Sequence, residues 1–157
     1  MAALKTSQFD ALAAAICPGK RLGYSPYARN LSRLSVTSFT PRQVAGFGTS
    51  VQTFLWGKYD GSGDDIRLTP RAYHAKFVYD VDYQTVARER VLSVAELRKN
   101  AELAALARAY PGTQALVYRY AGKQELGFKD ARELILVFQQ RDGPWCLRGI
   151  AHSEDTT

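Results

Sequence analysis

Apolar residues first recur at helical spacing. Phe9, Leu12, Ala13 and Ile16 fall on one face of a helix predicted over 7–16, which Pro18-Gly19 ends. Residues 19–39 are rich in Gly, Ser, Tyr and Asn, follow no clear period and read as an ordered loop. Thr40-Pro41-Arg42-Gln43 has the spacing of a capping box with proline at the first helical position, so a short helix follows, closed by Gly46 or Gly48. β-Branched and aromatic residues over 51–59 predict a strand. Asp60-Gly61-Ser62-Gly63-Asp64 must then turn the chain, and 66–68 supplies a short partner. Thr69-Pro70 opens another helix, ending near Asp80, with Tyr73, Phe77, His74 and Val78 on its inward stripe.

Residues 83–92 place Val86, Arg88, Arg90 and Leu92 in alternation, which fits a half-exposed strand, although the segment also fits a helix. Ser93 with Glu96 forms a second capping box. Val94, Leu97, Ala101, Ala104 and Ala107 then predict one continuous helix to Tyr110, before Pro111-Gly112. Three strands follow over 114–121, 132–141 and 144–152, the last two joined by an Asp142-Gly143 hairpin turn. Counting inward from that turn pairs Leu134 with Ala151, Leu136 with Gly149, Phe138 with Leu147 and Gln140 with Trp145 on a core face. The opposite face then holds Glu133 with His152, Ile135 with Ile150, Val137 with Arg148 and Gln139 with Cys146, and either meets solvent or lines a cavity. Helical segments followed by a meandering sheet make an α+β plan, with helices packed on one face of a curved, mainly antiparallel sheet.

Composition agrees with one globular domain spanning 1–157. The chain is 46% hydrophobic and 23% charged, and is too short for two independent cores. No stretch approaches the ~20 consecutive apolar residues of a membrane helix. Charge changes the picture more. Residues 1–59 hold Lys5, Lys20, Arg21, Arg29, Arg33, Arg42 and Lys58 against Asp10 alone, so the whole net charge of +6 lies in this first part of the chain. A concentrated cationic region attracts polyanions, which makes Arg21, Arg29, Arg33 and Arg42 polyanion-binding candidates. The plainer reading is solvated loop and helix-end residues, and no compact basic run or nucleic-acid motif argues for nucleic acid.

Cys17 and Cys146 are open to three readings: two buried thiols, one disulfide or a reactive pair. Without a CxxC, and with only His74 and His152 as distant bases, inert thiols fit best. The small-residue stretch ending at Cys17 is a poor lipoprotein box, since Ile16 precedes the Cys and Asp10 interrupts a very short apolar run. No signal peptide is visible, so the protein is cytoplasmic or a signal has been removed.

Five groups carry candidate chemistry. Asp60, Ser62 and Asp64 alternate like oxygen ligands, but Arg71 stands where an EF-hand needs its Glu, so no metal is expected and the segment reads as a polar turn. Asp80 and Asp82, among Tyr79, Val81 and Tyr83, suit acid–base chemistry if an apolar pocket raises a carboxyl pKa; the plainer reading is a turn at a helix end. Trp56, Tyr59 and Tyr73 form either an aromatic ligand wall or simple core. Glu133 opposite His152 would orient the imidazole as a base, or be an exposed cross-strand pair. Arg119 and Arg148, if inward-facing over a cavity, would supply an anion contact.

The motifs Gly23-Tyr24-Ser25-Pro26-Tyr27, Trp56-Gly57-Lys58-Tyr59-Asp60-Gly61-Ser62-Gly63, the run from Tyr73 to Tyr83, and Leu136-Val137-Phe138 through Trp145 resemble those of an uncharacterised family of bacterial exported or lipid-anchored proteins. The order of elements resembles the NTF2-like, cystatin-like cone. The resemblance implies a periplasmic or cell-envelope location and a non-catalytic module holding a small molecule or protein partner, with no cofactor. The family carries no activity to transfer. Two alternatives stand beside it. One is a hydrolase or isomerase using His152 or His74 as base with Glu133, Asp80 or Asp82 assisting, which rests largely on fold analogy. The other is polyanion binding. Substrate and oligomeric state, a homodimer included, stay open.

Overall fold

β8 (Cys146–Glu154) lies inside a six-stranded sheet, in which the strands run in the order β2 (Ser38–Phe39), β1 (Leu22–Ser25), β8, β7 (Arg132–Gln139), β6 (Thr113–Tyr120) and β5 (Arg88–Leu92). A computed structural model describes residues 1–28, 37–99, 103–140 and 143–154. Before the sheet come α1 (Ala2–Lys5) and α2 (Phe9–Ala14), the latter burying the expected Phe9, Leu12 and Ala13. β1 (Leu22–Ser25) corrects the loop reading of 19–39: all four of its residues are buried. It pairs antiparallel with β2 (Ser38–Phe39) and parallel with β8, where Gly23, Tyr24 and Ser25 face Gly149, Ile150 and Ala151. Covered on both faces as well as paired on both edges, the strand loses the alternation that marks a half-exposed one.

The capping box at α3 (Pro41–Ala45) forms as read. Thr40 N–H donates to Gln43 Oε1 at 2.9 Å, and Gln43 N–H to Thr40 Oγ1 at 3.3 Å. β3 (Phe54–Lys58) and β4 (Asp65–Leu68) make the predicted hairpin, as a separate two-stranded sheet. α4 (Pro70–Phe77) is capped by Thr69 and buries Tyr73, His74 and Phe77. The ambiguous segment resolves into both readings in succession, α5 (Tyr83–Val86) and then β5 (Arg88–Leu92), the change falling at Ala87, whose backbone is extended.

Ser93 and Glu96 cap α6 (Val94–Lys99) as expected, with Ser93 N–H donating to Glu96 at 2.9 Å. The single helix to Tyr110 is corrected to two, α6 and α7 (Ala104–Ala109); Ala101 lies outside the described residues. β6 (Thr113–Tyr120) and β7 (Arg132–Gln139) complete the sheet.

Alternation along β7 separates two cores. Leu134 and Leu136 join Tyr24, Phe39, Trp56, Tyr73 and Phe77 under α2, α3, α4 and the β3–β4 hairpin. Ile135 and Val137 join Ala115, Val117 and Ala151 under Leu92, Leu97, Leu103 and Ala107 of the α6–α7 side. Helices therefore cover both faces of the sheet rather than one, and the face expected to meet solvent or line a cavity is closed. Leu97 alone, with 0% exposure, is worth roughly 1.5–3 kcal/mol of burial.

The β7–β8 register agrees near the turn and slips beyond it. Phe138 faces Leu147 and Gln139 faces Cys146, as counted, although Arg141 and Asp142 lie outside the described residues. A bulge then leaves Arg148 without an opposite residue, so Val137 faces Gly149, Ile135 faces Ala151, Leu134 faces His152 and Glu133 faces Ser153. A one-residue slip exchanges the faces of every later side chain. His152 is thereby moved from the expected mixed face into the first core, and its pairing with Glu133 does not form.

Candidate functional site

The densest ionisable cluster stands where α4 ends. Val78 and Tyr79 N–H both donate to His74 O, closing the helix, and the chain then carries Asp80 against the sheet. Asp80 Oδ1 accepts from Tyr83 Oη at 2.9 Å. Its Oδ2 accepts from Arg132 Nη1 at 2.5 Å and from His152 Nε2 at 3.2 Å. The Asp80 side chain is 8% exposed and that of His152 0%. Burial pushes the Asp80 carboxyl up, but the donors of His152, Arg132 and Tyr83 outweigh it and hold the group at about 2. Burial and the Asp80 charge push the Tyr83 hydroxyl far above its ordinary value. With Asp80 ionised, His152 Nε2 is the donor, and its buried Nδ1 has no hydrogen-bond partner among the described residues. The ring meets Phe77 edge-on at 5.9 Å between centroids.

A general base must lie within hydrogen-bond reach of its substrate. His152 is sealed and Asp80 is satisfied by three donors, so the cluster acts as a fastening between the α4–α5 turn and strands β7 and β8. Asp82 points elsewhere. It accepts from Lys5 Nζ at 2.7 Å, Tyr79 Oη at 2.7 Å and Thr85 Oγ1 at 3.0 Å, and the Lys5 ammonium leads the effects that hold it at about 2. His74 is buried 70 positions from its partner Leu4, whose carbonyl accepts from Nε2 at 2.7 Å. Burial lowers its pKa, opposed by that carbonyl, so the ring is a neutral donor anchoring α1.

The aromatic residues divide. Trp56 and Tyr73 stack at 3.8 Å and 12°, each 1% exposed, with Trp56 Nε1 donating to Leu68 O at 2.9 Å. Tyr59 is half-buried under Lys76, whose Nζ sits 4.6 Å from its ring centroid. They are core and rim, with no wall facing a cavity. The segment from Asp60 to Asp64 is the hairpin turn, in which Gly63 N–H donates to Tyr59 O and Asp64 N–H to Ser62 Oγ. Arg119 and Glu133 are a surface pair at 3.7 Å on adjacent strands, of a kind worth little to stability.

Of the basic candidates, Arg42 is exposed in the first turn of α3, while Arg29 and Arg33 lie outside the described residues. Arg21 donates to Ser38 Oγ from Nε at 3.0 Å and to Ser38 O from Nη2. Arg148, turned out by the bulge, lays its guanidinium over Tyr110 at 5.4 Å. Arg21 and Arg148 line one recess. Tyr83 was visible from sequence as a neighbour of Asp80, three positions away, whereas Arg132 was not a candidate, since it reaches Asp80 across 52 positions from β7.

Cys17 and Cys146 form a disulfide, with 129 positions between them and their Cα atoms 4.7 Å apart, which corrects the reading of inert thiols. A parallel bridge between Ile16 and Leu147, with Cys17 N–H donating to Leu147 O at 3.1 Å, brings the two segments together. Comparison with protein-family models, curated proteins and solved structures returned no match for the chain.

Proposed function

We propose that the protein is a non-catalytic binding module of the bacterial envelope, which meets its ligand or partner at its surface and not in an internal cavity. The observation that carries this reading is the closure of the interior. Both sheet faces are packed, Trp56 and Tyr73 are stacked shut, and His152 and Asp80 are consumed by each other, Arg132 and Tyr83. The Cys17–Cys146 disulfide supports an oxidising compartment, where such bonds persist. The motif resemblance to exported or lipid-anchored proteins agrees with that location. The finer cone-like reading of the fold belongs to this proposal too. It draws on the curved sheet with helices against it, and the closed interior accounts for a cone used as scaffold and not as container.

Thiol trapping in intact cells, followed by fractionation, tests the proposal. The expected result is oxidised Cys17 and Cys146 in protein recovered with the envelope. A reduced pair in cytoplasmic protein overturns the location. Turnover of ester or phosphoester probes that disappears in a folded Asp80→Asn variant overturns the non-catalytic reading.

A further inference from the structure

The connection from β6 to β7 is shaped by its own bonds. A 3-10 turn over Gln124–Leu126 opens it, and the backbone then enters the left-handed region twice in succession, at Gly127 with φ +60° and at Phe128 with φ +62°. A bulky side chain is an outlier there. Such strain persists where the surroundings over-determine it, and here Phe128 N–H donates to Lys123 O at 2.9 Å while Phe128 O accepts from Ala131 N–H at 3.0 Å. Asp130 ties the base of the loop. Its Oδ1 accepts from Lys123 N–H at 2.8 Å and its Oδ2 from Tyr120 Oη at 3.2 Å.

What this fixed backbone presents is apolar. Every residue from Lys123 to Lys129 is exposed, Leu126 and Phe128 each at 51%, and neither of the two joins a core. Lys123 and Lys129 bracket them. The described ion pairs engage other cations, Lys5, Lys58, Arg67, Arg90, Arg119 and Arg132, and Asp130 is taken up at the loop's base, so Glu125 is the loop's exposed carboxylate. Size and charge together select the occupant. A specific protein interface takes about 800 Å² from each partner, whereas the largest apolar side chain of this tip offers ~150–250 Å². A bilayer surface needs no matching shape. It takes up apolar side chains to a depth of about 5–10 Å at the headgroup boundary, and anionic headgroups attract the bracketing lysines. A tip already fixed by its own bonds loses little freedom on docking.

We infer that the loop of residues 123–129 is an interfacial anchor, which seats Leu126 and Phe128 at the headgroup boundary of an anionic phospholipid bilayer while Lys123 and Lys129 lie among the headgroups. The contact is peripheral and reversible, since two side chains do not hold a protein in lipid permanently. This inference deepens the surface-binding reading above and rests on it. The two fail separately. Thiol trapping reads the compartment and leaves the loop untested, and a loop that ignores lipid leaves the thiol-trapping result untouched.

The test is co-sedimentation of the oxidised full chain with phosphatidylcholine vesicles, with and without phosphatidylglycerol. Retention is expected to rise with phosphatidylglycerol. Leu126→Gln and Phe128→Asn should each lower the partition about tenfold, the transfer of one half-exposed apolar side chain, and Lys123→Gln and Lys129→Gln about fivefold each. Asparagine accepts a positive φ and all four side chains are exposed, so these variants fold as the parent does. A tryptophan at the tip reads depth. Fluorescence of Phe128→Trp, made in a Trp145→Phe chain, should be quenched by phosphatidylcholine brominated on its acyl chains, and that of the Trp145→Phe chain alone should not. Absence of retention on either vesicle overturns the anchor, as does retention untouched by the paired Leu126→Gln/Phe128→Asn change, which would assign the attraction to the basic first part of the chain. Equal retention with and without phosphatidylglycerol overturns the part given to the lysines.

Discussion

His152 Nε2 lies 3.2 Å from Asp80 Oδ2 across 72 positions of sequence, so one hydrogen bond fastens the turn after α4 to strand β8. Arg132 and Tyr83 complete the same carboxylate's set of donors. Burial alone would raise the Asp80 pKa, and the net depression to about 2 measures how far the donors prevail.

Because the Asp80 pKa is lower in the folded than in the unfolded chain, its contribution to stability is fully present above the ordinary carboxylate value of 3.8 and is lost as pH falls toward about 2. Asp82 shares this acid limb, so the informative quantity is the difference between the parent and Asp80→Asn. At neutral pH we expect Asp80→Asn to cost about 2–3 kcal/mol by leaving Arg132 without its carboxylate. The gap between the two proteins should narrow below pH 4, measured by urea denaturation across the acid range.

Removing the disulfide should weaken the fold by about 3–5 kcal/mol, since the bond closes a loop of 129 positions and restrains the unfolded chain accordingly. Denaturation of the parent with and without reductant, and of the Cys17→Ala/Cys146→Ala pair, checks this. Equal stability of all three would show that the segments are held by the β1–β8 pairing alone.

Trp56 and Trp145 should report separately on the core and the surface. Trp56 is 1% exposed and bonded to Leu68 O, whereas Trp145 is 44% exposed. Iodide should quench Trp145 and spare Trp56. Trp56→Phe should remove the protected fluorescence and cost about 2–4 kcal/mol, combining a smaller ring with an orphaned carbonyl.

Gly122 sits at φ +82°, and a Cβ there would meet Asp130 Oδ1 at 2.8 Å and the backbone of Ala131 and Phe128 at 3.0 Å. Gly127, at φ +60°, has open space instead. Gly127→Ala should therefore cost about 1 kcal/mol from backbone conformation alone, and Gly122→Ala about 2 kcal/mol or more. Thermal denaturation of the two variants separates conformational strain from collision.

What the sequence made legible is what short-range bonds encode. The capping boxes at Thr40 and Ser93, the inward stripe of α4 and the β3–β4 hairpin depend on residues a few positions apart, and all were readable. β1 was not, because its partner strand β8 lies more than a hundred positions away and its buried surroundings erase alternation. The Arg148 bulge has no local signature beyond Gly149, yet it decides that His152 meets Asp80 and not Glu133. The disulfide and the recess lined by Arg21 and Arg148 depend on the same distant pairing. The site's residue types were visible from sequence, but their company was set by register.

The interior place of β8 has a consequence for biosynthesis. Until residues 146–154 are made, β1 and β7 have no strand between them, the buried Asp80 lacks His152, and Cys17 has no thiol to join. The sheet therefore stays open between β1 and β7 until the strand that bridges them arrives. Such a delay leaves the facing edges of β1 and β7 and the Cys17 thiol unjoined until the last strand of the sheet is made.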